Sequence, residues 1–149
     1  MIRLPPGPLL FDSGIYIRFS RGQDYVWLGE DPRIFQRTIL TAVVVAELYA
    51  GTRDHRQKRA LDQLCSAHHA LGHFSSPPPA AWIETGVLLR RARSTSGDID
   101  FVHHFRDLLI AVEAVRSGAT LVTENVVHFA RWRSLLASAS KTLRLFNPS

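Results

Sequence analysis

Blocks of apolar residues separated by short polar turns run along the chain, and the block from Asp107 to Phe129 has the clearest pattern. After Asp107, apolar residues recur at the spacing of a buried helix face, and Ser117-Gly118 is typical of a helix C-terminus. The next segment, Ala119–Thr123, is apolar and β-branched, which predicts a buried strand followed by Glu124 and Asn125. This order of elements is half of a doubly wound α/β unit, in which ligands bind beyond the carboxyl ends of the strands.

Three further segments extend the same pattern. Pro8–Phe11 predicts a first strand that ends at Asp12, and Leu143–Phe146 predicts a last strand at the edge of the sheet. A short strand before Thr41 leads into an apolar helix over Ala42–Ala50, in which Glu47 is the one charged residue. Strands that alternate with helices predict the α/β class, with a central and mostly parallel sheet.

The remaining chain predicts two more helices, over Thr52–Leu71 and Ala80–Arg93, with a polar loop over Ser94–Asp100. The second of these helices is expected to turn four apolar side chains inward, those of Trp82, Ile83, Val87 and Leu89. Tyr25–Arg37 gives no clear pattern beyond a turn. A length of 149 residues without internal repeats predicts a single domain spanning residues 1–149.

Three carboxylates lie where an apolar element meets a strand end or a sheet-facing helix: Asp12, Glu47 and Asp107. Each has an ordinary explanation, because Asp12 and Asp107 suit helix N-caps and Glu47 could pair with an arginine. The predicted topology, however, brings all three to one edge of the sheet, where clustered carboxylates repel unless one is protonated or a cation binds. Oxygen ligands in an open cleft favour Mg²⁺ or Mn²⁺, and such an ion can activate water for phosphodiester cleavage. We therefore favour a metal-dependent nuclease.

The segments FDSGIYI, TAVVVAELYAG, RDLLIAVEA and TLVTENVVHF, in this order and at these distances, resemble the PIN-domain ribonucleases. The resemblance is greatest to the VapC-type toxins of bacterial toxin–antitoxin pairs and extends from about Leu9 to Phe146. It implies a three-layer α/β/α fold and a Mg²⁺-dependent endoribonuclease that cleaves cellular RNA. It also implies a homodimer, and a cognate antitoxin whose C-terminal segment covers the acidic cleft.

The resemblance further assigns roles to individual residues. Asp12 and Asp107 correspond to the principal metal ligands, and Glu47 completes the acidic cluster or orients the water. Two hydroxyl residues, Ser13 and Thr123, are implied to hydrogen-bond around the cluster. The family often has an acid at a fourth position, where this sequence has Asn125. The alignment points Asn125 into the cleft and leaves its neighbour Glu124 at the rim.

The composition is compatible with a nucleic-acid partner. The formal charge is +5, and 16 of the 18 basic residues are arginines, which bind phosphate in planar, bidentate contacts. Cys65 is the one cysteine, so no internal disulfide is possible, and a buried thiol is expected. The N-terminus has no apolar signal segment, and the longest apolar run is far short of the ~20 residues of a membrane span. We expect a cytoplasmic protein that does not enter a membrane.

Other functions remain open from the residues alone. His69 and His73 have a zinc-binding spacing, and a metal-independent ribonuclease could use two histidines from His103-His104 and His128 as acid and base. A receiver-like Mg²⁺-binding domain lacks its paired acid and its strand-end lysine here. A non-catalytic nucleic-acid-binding module would leave the three acids unexplained. The chain has neither common Gly-rich phosphate loop, which argues against nucleotide-dependent enzymes.

Overall fold

The computed structural model of the chain describes residues 2–97 and 99–149. Its strands are β1 Leu9–Phe11, β2 Thr38–Thr41, β3 Phe74–Ser75, β4 Thr120–Val122 and β5 Arg144–Phe146. Its helices are α1 Ser13–Ser20, α2 Trp27–Glu30, α3 Pro32–Arg37, α4 Ala42–Ala50, α5 His55–Ala70, α6 Pro79–Ser96, α7 Phe101–Arg116 and α8 Val126–Ser138. Met1, part of the predicted domain, and Asp98, part of the predicted loop, lie outside the described residues.

The five strands form one sheet in the order β3-β2-β1-β4-β5, and every neighbouring pair is parallel. Right-handed crossovers in a sheet of this order place helices on both faces, so the predicted α/β class with a central parallel sheet is confirmed. The chain leaves β1 toward β2 and leaves β4 toward β5. The strand order therefore reverses between β1 and β4, and a crevice opens there beyond the carboxyl ends of the strands.

The core includes a fully buried region formed by residues of β1, β4 and α7. The strand residues Leu9, Leu10, Leu121 and Val122 are fully buried, as is the run from Leu108 to Val112 in α7. Strands buried on both faces are expected to be continuous apolar runs, as these are. Within residues 2–97 and 99–149, no helix has the length and apolar character that crossing a membrane requires.

The turn between α7 and β4 follows the sequence signal closely. Gly118 has a φ of +65°, a left-handed conformation that glycine adopts at little cost. Its N–H donates to the carbonyl of Val115, and the N–H of Ala119 donates to that of Ala114. These two bonds are the Schellman motif, which satisfies the last carbonyls of the helix and sends the chain directly into β4.

The start of α7 differs from the prediction. Asp100 caps this helix, since its Oδ1 accepts a hydrogen bond from the N–H of Val102 at 2.9 Å. Asp107 lies in the second turn, so its interpretation as a helix N-cap is wrong. Asp12, in contrast, does cap α1. Asp107 therefore does not cap α7, and its carboxylate lines a cleft at the edge of the sheet instead.

The inward face of α6 also differs from the prediction. Trp82, Ile83 and Val87 are exposed, whereas the buried residues of this helix are Ala81, Thr85, Leu88, Leu89 and Ala92. Apolar residues lie all round α6, and its packing against α7 selects the face with the smaller side chains. The helices α2 and α3 fill the segment that had no clear pattern, and the two-residue strand β3 was not predicted.

One acid is buried in the core away from the sheet edge. Glu113 of α7 is 5% exposed, and its Oε1 accepts a hydrogen bond from the hydroxyl of Thr41 at 3.0 Å. Its Oε2 has no hydrogen-bond partner among the described residues. Burial raises the pKa of Glu113, and the hydrogen bond from Thr41 lowers it by less. The ionised form is therefore disfavoured in the folded protein.

Because its pKa is raised on folding, Glu113 lowers stability increasingly as pH rises above the pKa of the unfolded chain. We expect Glu113→Gln to raise the free energy of unfolding by about 1 kcal/mol at pH 8, since an ionised group without a full set of partners is removed. The gain should shrink toward pH 4, where the carboxyl is protonated in both states. Chemical denaturation across this pH range measures the effect, with Glu30→Gln on an exposed carboxylate as control. A gain that does not depend on pH would contradict this explanation.

Candidate active site

A cleft of about 260 Å³ opens beyond the carboxyl ends of β1 and β4, at the point where the strand order reverses. The residues that line it come from the start of α1, the second turn of α7 and the end of β4: Asp12, Ser13, Gly14, Ile15, Arg106, Asp107, Thr123, Glu124 and Asn125. Three of the four predicted site residues therefore line one cleft, although they lie far apart in the sequence.

Asp12 is fixed at the end of β1 by backbone and side-chain contacts. Its N–H donates to the carbonyl of Val122 at 3.0 Å, which continues the pairing of β1 with β4. Its Oδ1 accepts from the N–H of Ser13 at 2.8 Å, and its Oδ2 accepts from the hydroxyl of Thr123 at 3.0 Å. Burial raises the pKa of Asp12, and the charge of Asp107 raises it further, against the lowering effect of the two hydrogen bonds. A cation in the cleft would offset this cost.

Asp107 presents its carboxylate from the second turn of α7, with its side chain 13% exposed. Its Oδ1 lies 2.6 Å from Nη2 of Arg106, and its Oδ2 lies 2.7 Å from Nε2 of His128. The His128 ring also packs edge-on against the rings of Phe129 and Trp132. This packing fixes the ring, so His128 orients Asp107 from the side of α8.

Glu47 reaches the same region from α4 but is tied to other groups. Its Oε2 accepts a hydrogen bond from the hydroxyl of Ser13 at 3.3 Å, and its Oε1 forms an ion pair with Nη1 of Arg106. The alternative in which Glu47 pairs with an arginine thus describes the structure correctly. Glu47 lines a larger neighbouring groove of about 910 Å³ between α1, α4 and α5.

Arg106 lies between the carboxylates and was not singled out in the sequence. Burial lowers the pKa of its guanidinium, but Asp107, Glu47 and Asp12 together outweigh burial and raise it. Arg106 precedes Asp107 in the sequence, but its other partner, Glu47, is 59 residues away. The sequence alone therefore does not show that Arg106 joins the two acids. A single cation therefore separates two of the three predicted acids.

Glu124 and Asn125 follow β4, and both line the cleft, so the cleft is not reserved for Asn125. Glu124 accepts a hydrogen bond from the hydroxyl of Tyr25 and lies 3.4 Å from Nε of Arg18. Tyr25 has a φ of +62° and is buried, so the loop after α1 is held firmly against this acid. The N–H of Asn125 donates to the hydroxyl of Thr123 at 3.0 Å, and its side chain makes no capping bond within the described part of the chain.

The histidines do not form the zinc site considered from the sequence. His69 lies in α5 and His73 beyond its end, separated by Gly72 with a φ of +71°. Among residues 2–97 and 99–149, no group of three or more His, Cys, Asp and Glu side chains is arranged to hold a metal ion. The three acids are therefore not a ready-made three-carboxylate site.

The donors present fit Mg²⁺ or Mn²⁺ better than ions that need more protein ligands. Mg²⁺ keeps several of its waters and is commonly bound by one or two carboxylates, which Asp12 and Asp107 can supply. Burial is the main cause of the raised pKa of Asp12, so the ionised carboxylate is disfavoured in this cleft unless a cation lies beside it. The neutral amide of Asn125 is available to orient bound water, whereas the hydroxyl of Thr123 is already used between Asp12 and the N–H of Asn125.

No model of a known protein family matches the sequence, and no curated protein matches it either. Solved structures do share its fold. One is VapBC2 from Rickettsia felis bound to a DNA fragment from the promoter, with a TM-score of 0.63 and 18% identity, covering 93% of this chain and 97% of that chain. FitAcB from Neisseria gonorrhoeae gives a TM-score of 0.61 and 21% identity, covering 94% and 97%. DNA-bound VapBC from Salmonella typhimurium gives a TM-score of 0.65 and 16% identity, covering 97% of this chain and 100% of that chain.

Each match covers nearly the whole of this chain and nearly the whole of the matched chain. The likeness therefore concerns the complete fold and not a common βαβ unit. The chain has the PIN-like fold, as the matching VapC-type chains of these complexes do.

Proposed function

We propose that this chain is a Mg²⁺- or Mn²⁺-dependent endoribonuclease that cleaves cellular RNA. The observation that carries the proposal is the meeting of Asp12 and Asp107 in one cleft at the switch point of a PIN-like fold. Each carboxylate is oriented by dedicated partners, Thr123 and Ser13 for the first and His128 for the second. Two oriented carboxylates with room for water are what a hydrated divalent ion requires.

The chain's own residues would divide the work of the reaction. Asp12 and Asp107 would hold the ion, and Glu47 would adjust the charge of the site or orient water. When bound, the ion supplies activated water and stabilises the charge that develops on the phosphate. Asn125 would orient water through its neutral amide. The arginine-rich surface would attract the RNA backbone, with a strong dependence on salt.

The proposal includes two protein partners, a cognate antitoxin and a second copy of the chain. The antitoxin is supported by the structures from Rickettsia felis and Salmonella typhimurium, which are VapBC complexes, and the second copy rests on the family resemblance alone. The groove of about 910 Å³ that ends at Glu47 is a suitable place for a partner segment that covers the cleft. Its lining is mixed, with apolar side chains such as Leu48 and Leu61 and basic ones such as Arg56.

The proposal predicts that Mg²⁺ or Mn²⁺ stabilises the folded protein, because an ion that binds only the folded state shifts unfolding by mass action. At ten times the Kd, the free energy of unfolding should rise by about 1.4 kcal/mol. A thermal melt with and without EDTA measures the shift, and a parallel assay follows cleavage of RNA. Cleavage that persists in EDTA without any stabilisation by metal would instead favour a two-histidine mechanism. The contact between His128 and Asp107 makes His128 the first residue to substitute in that case.

Removing either carboxylate should abolish cleavage without unfolding the protein. Asp12→Asn and Asp107→Asn should each lower the rate by about 10²-fold or more, since bound metal supplies several kcal/mol of transition-state stabilisation. Asp100→Asn is the matched control, because it makes the same change at the cap of α7, where asparagine is an equally good cap. Cleavage at the wild-type rate in both site variants would refute the assignment of the acids.

The same variants should differ in stability in EDTA. Asp12→Asn should be as stable as the wild type or more so, because burial already disfavours the charge of Asp12. Asp107→Asn should be less stable by about 0.5–1 kcal/mol, because Arg106 and His128 lose an anionic partner at a partly exposed site.

The fourth position should respond to charge. Asn125→Asp adds a carboxylate beside Asp12 and Asp107, so it should tighten metal binding and lower the stability of the metal-free protein. Glu124→Gln should change metal affinity little but should lower stability, because Tyr25 and Arg18 both contact this carboxylate. Calorimetric titration of both variants with Mn²⁺ makes the comparison. If Glu124→Gln weakens binding strongly and Asn125→Asp has no effect, Glu124 is the fourth ligand instead.

A further inference from the structure

The guanidinium of Arg106 lies between Asp107, which lines the cleft, and Glu47, which lines the neighbouring groove. Nη1 forms an ion pair with Oε1 of Glu47, and Nη2 lies 2.6 Å from Oδ1 of Asp107. The two acids come from different helices, α4 and α7, so the arginine joins these helices at the mouth of the site. Its side chain is 36% exposed, which leaves the guanidinium a path to solvent.

Each carboxylate oxygen of the three acids already has a partner in this arrangement. Asp12 accepts from Ser13 and Thr123, Asp107 contacts Arg106 and His128, and Glu47 contacts Ser13 and Arg106. A divalent ion that uses Oδ1 of Asp107 or Oε1 of Glu47 must therefore displace Arg106. The remaining partners are neutral donors or a histidine on the far side of Asp107.

We infer that Arg106 is a tethered cation that competes with the divalent ion for Asp107 and Glu47 and, once displaced, binds a phosphate of the RNA. The inference rests on the proposed function. Arg106 lines the same cleft as Asp12 and Asp107, and its backbone is fixed in α7, so a displaced guanidinium remains beside the site. Arginine is suited to both states, because its planar fork binds carboxylate and phosphate with the same geometry.

A purely structural ion pair would behave differently from a competitor. Loss of a structural pair lowers stability and leaves metal affinity unchanged or weaker, because the acids lose their orientation. Loss of a competing cation also lowers metal-free stability, but it tightens metal binding, because the ion no longer has to break two contacts. The direction of the change in metal affinity therefore separates the two roles.

The test is calorimetric titration of Arg106→Gln and Arg106→Lys with Mn²⁺, together with RNA cleavage at saturating metal. For Arg106→Gln we expect a Kd about tenfold lower than that of the wild type and a lower melting temperature in EDTA. Cleavage should nevertheless fall by about 10²-fold, the usual effect of losing one charged contact to the transition state. Arg106→Lys should have an intermediate Kd, because one ammonium cannot reach both carboxylates as a guanidinium fork does.

Arg116→Gln is the matched control, because Arg116 lies on the same helix and pairs with Glu84, 3.5 Å away and outside the cleft lining. It should leave both Kd and cleavage as in the wild type. A Kd that is unchanged or higher in both Arg106 variants would overturn the competition, and Arg106→Lys decides the matter if Arg106→Gln does not fold. Tighter metal binding with undiminished cleavage would overturn the phosphate contact.

Failure of the proposed function gives a different result. If the wild type binds no Mn²⁺ and its RNA cleavage does not depend on metal, the metal-dependent nuclease is refuted together with the inference. If the wild type binds Mn²⁺ and cleaves RNA but the Arg106 variants keep its Kd, only the role of Arg106 is refuted.

Discussion

The parallel pairing of β1 with β4 is the constraint on which the rest of the site depends. Leu9 pairs with Thr120, and the ladder continues through Leu10 and Phe11 to the bond from the N–H of Asp12 to the carbonyl of Val122. The strands are sequentially distant, so this pairing brings the first acid beside the hydroxyl of Thr123. A shift of one residue would move Asp12 away from Val122 and Thr123, so the register of this ladder determines the geometry of the cleft.

The second constraint is electrostatic. Like charges in a partly desolvated cleft destabilise the fold unless hydrogen bonds or cations compensate them. The structure uses neutral donors for Asp12, a histidine and an arginine for Asp107, and the same arginine for Glu47. Removing Asp107 and removing Arg106 are therefore both expected to lower the stability of the metal-free protein, because each leaves the other without its partner. This explains how a protein can keep several acids together and still fold before any metal binds.

The sequence predicted those features that depend on local patterns. The strand before Asp12, the buried strand after Gly118 and the helix that contains Glu47 are all marked by continuous apolar runs and by turn or cap residues. The start of α7 was missed because Phe101–Arg106 mixes aromatic, histidine and basic residues without a clear apolar stripe. The inward face of α6 was predicted correctly only at Leu89, because apolar residues surround that helix and contacts with α7 and α8 decide which are buried.

The contacts within the site show the limit of this kind of inference. Arg106 and Tyr25 each contact an acid that is far away in sequence, and no spacing along the chain marks either residue as part of a site. Their roles follow from the crossing of elements at the sheet edge, which spacing along the chain does not encode. The acids were predictable because strand ends and apolar helices mark their positions, whereas their partners became visible only with side chains in place.

Two acids on α7, Asp107 and Glu113, differ in their access to solvent and in their hydrogen-bond partners. Glu113 lies about 9 Å along the helix axis from Asp107, at 1.5 Å per residue. Its one hydrogen-bond donor is the hydroxyl of Thr41 among the described residues, and burial raises its pKa. Asp107 has a cationic guanidinium on one oxygen and an imidazole on the other, and it faces an open cleft. An ion can reach Asp107 with its water shell largely intact, but it would have to shed that shell to reach Glu113. Burying a carboxylate is costly in both places. Under the proposed function, access to solvent and a cation that can be displaced would be what distinguishes Asp107, as a metal ligand, from Glu113.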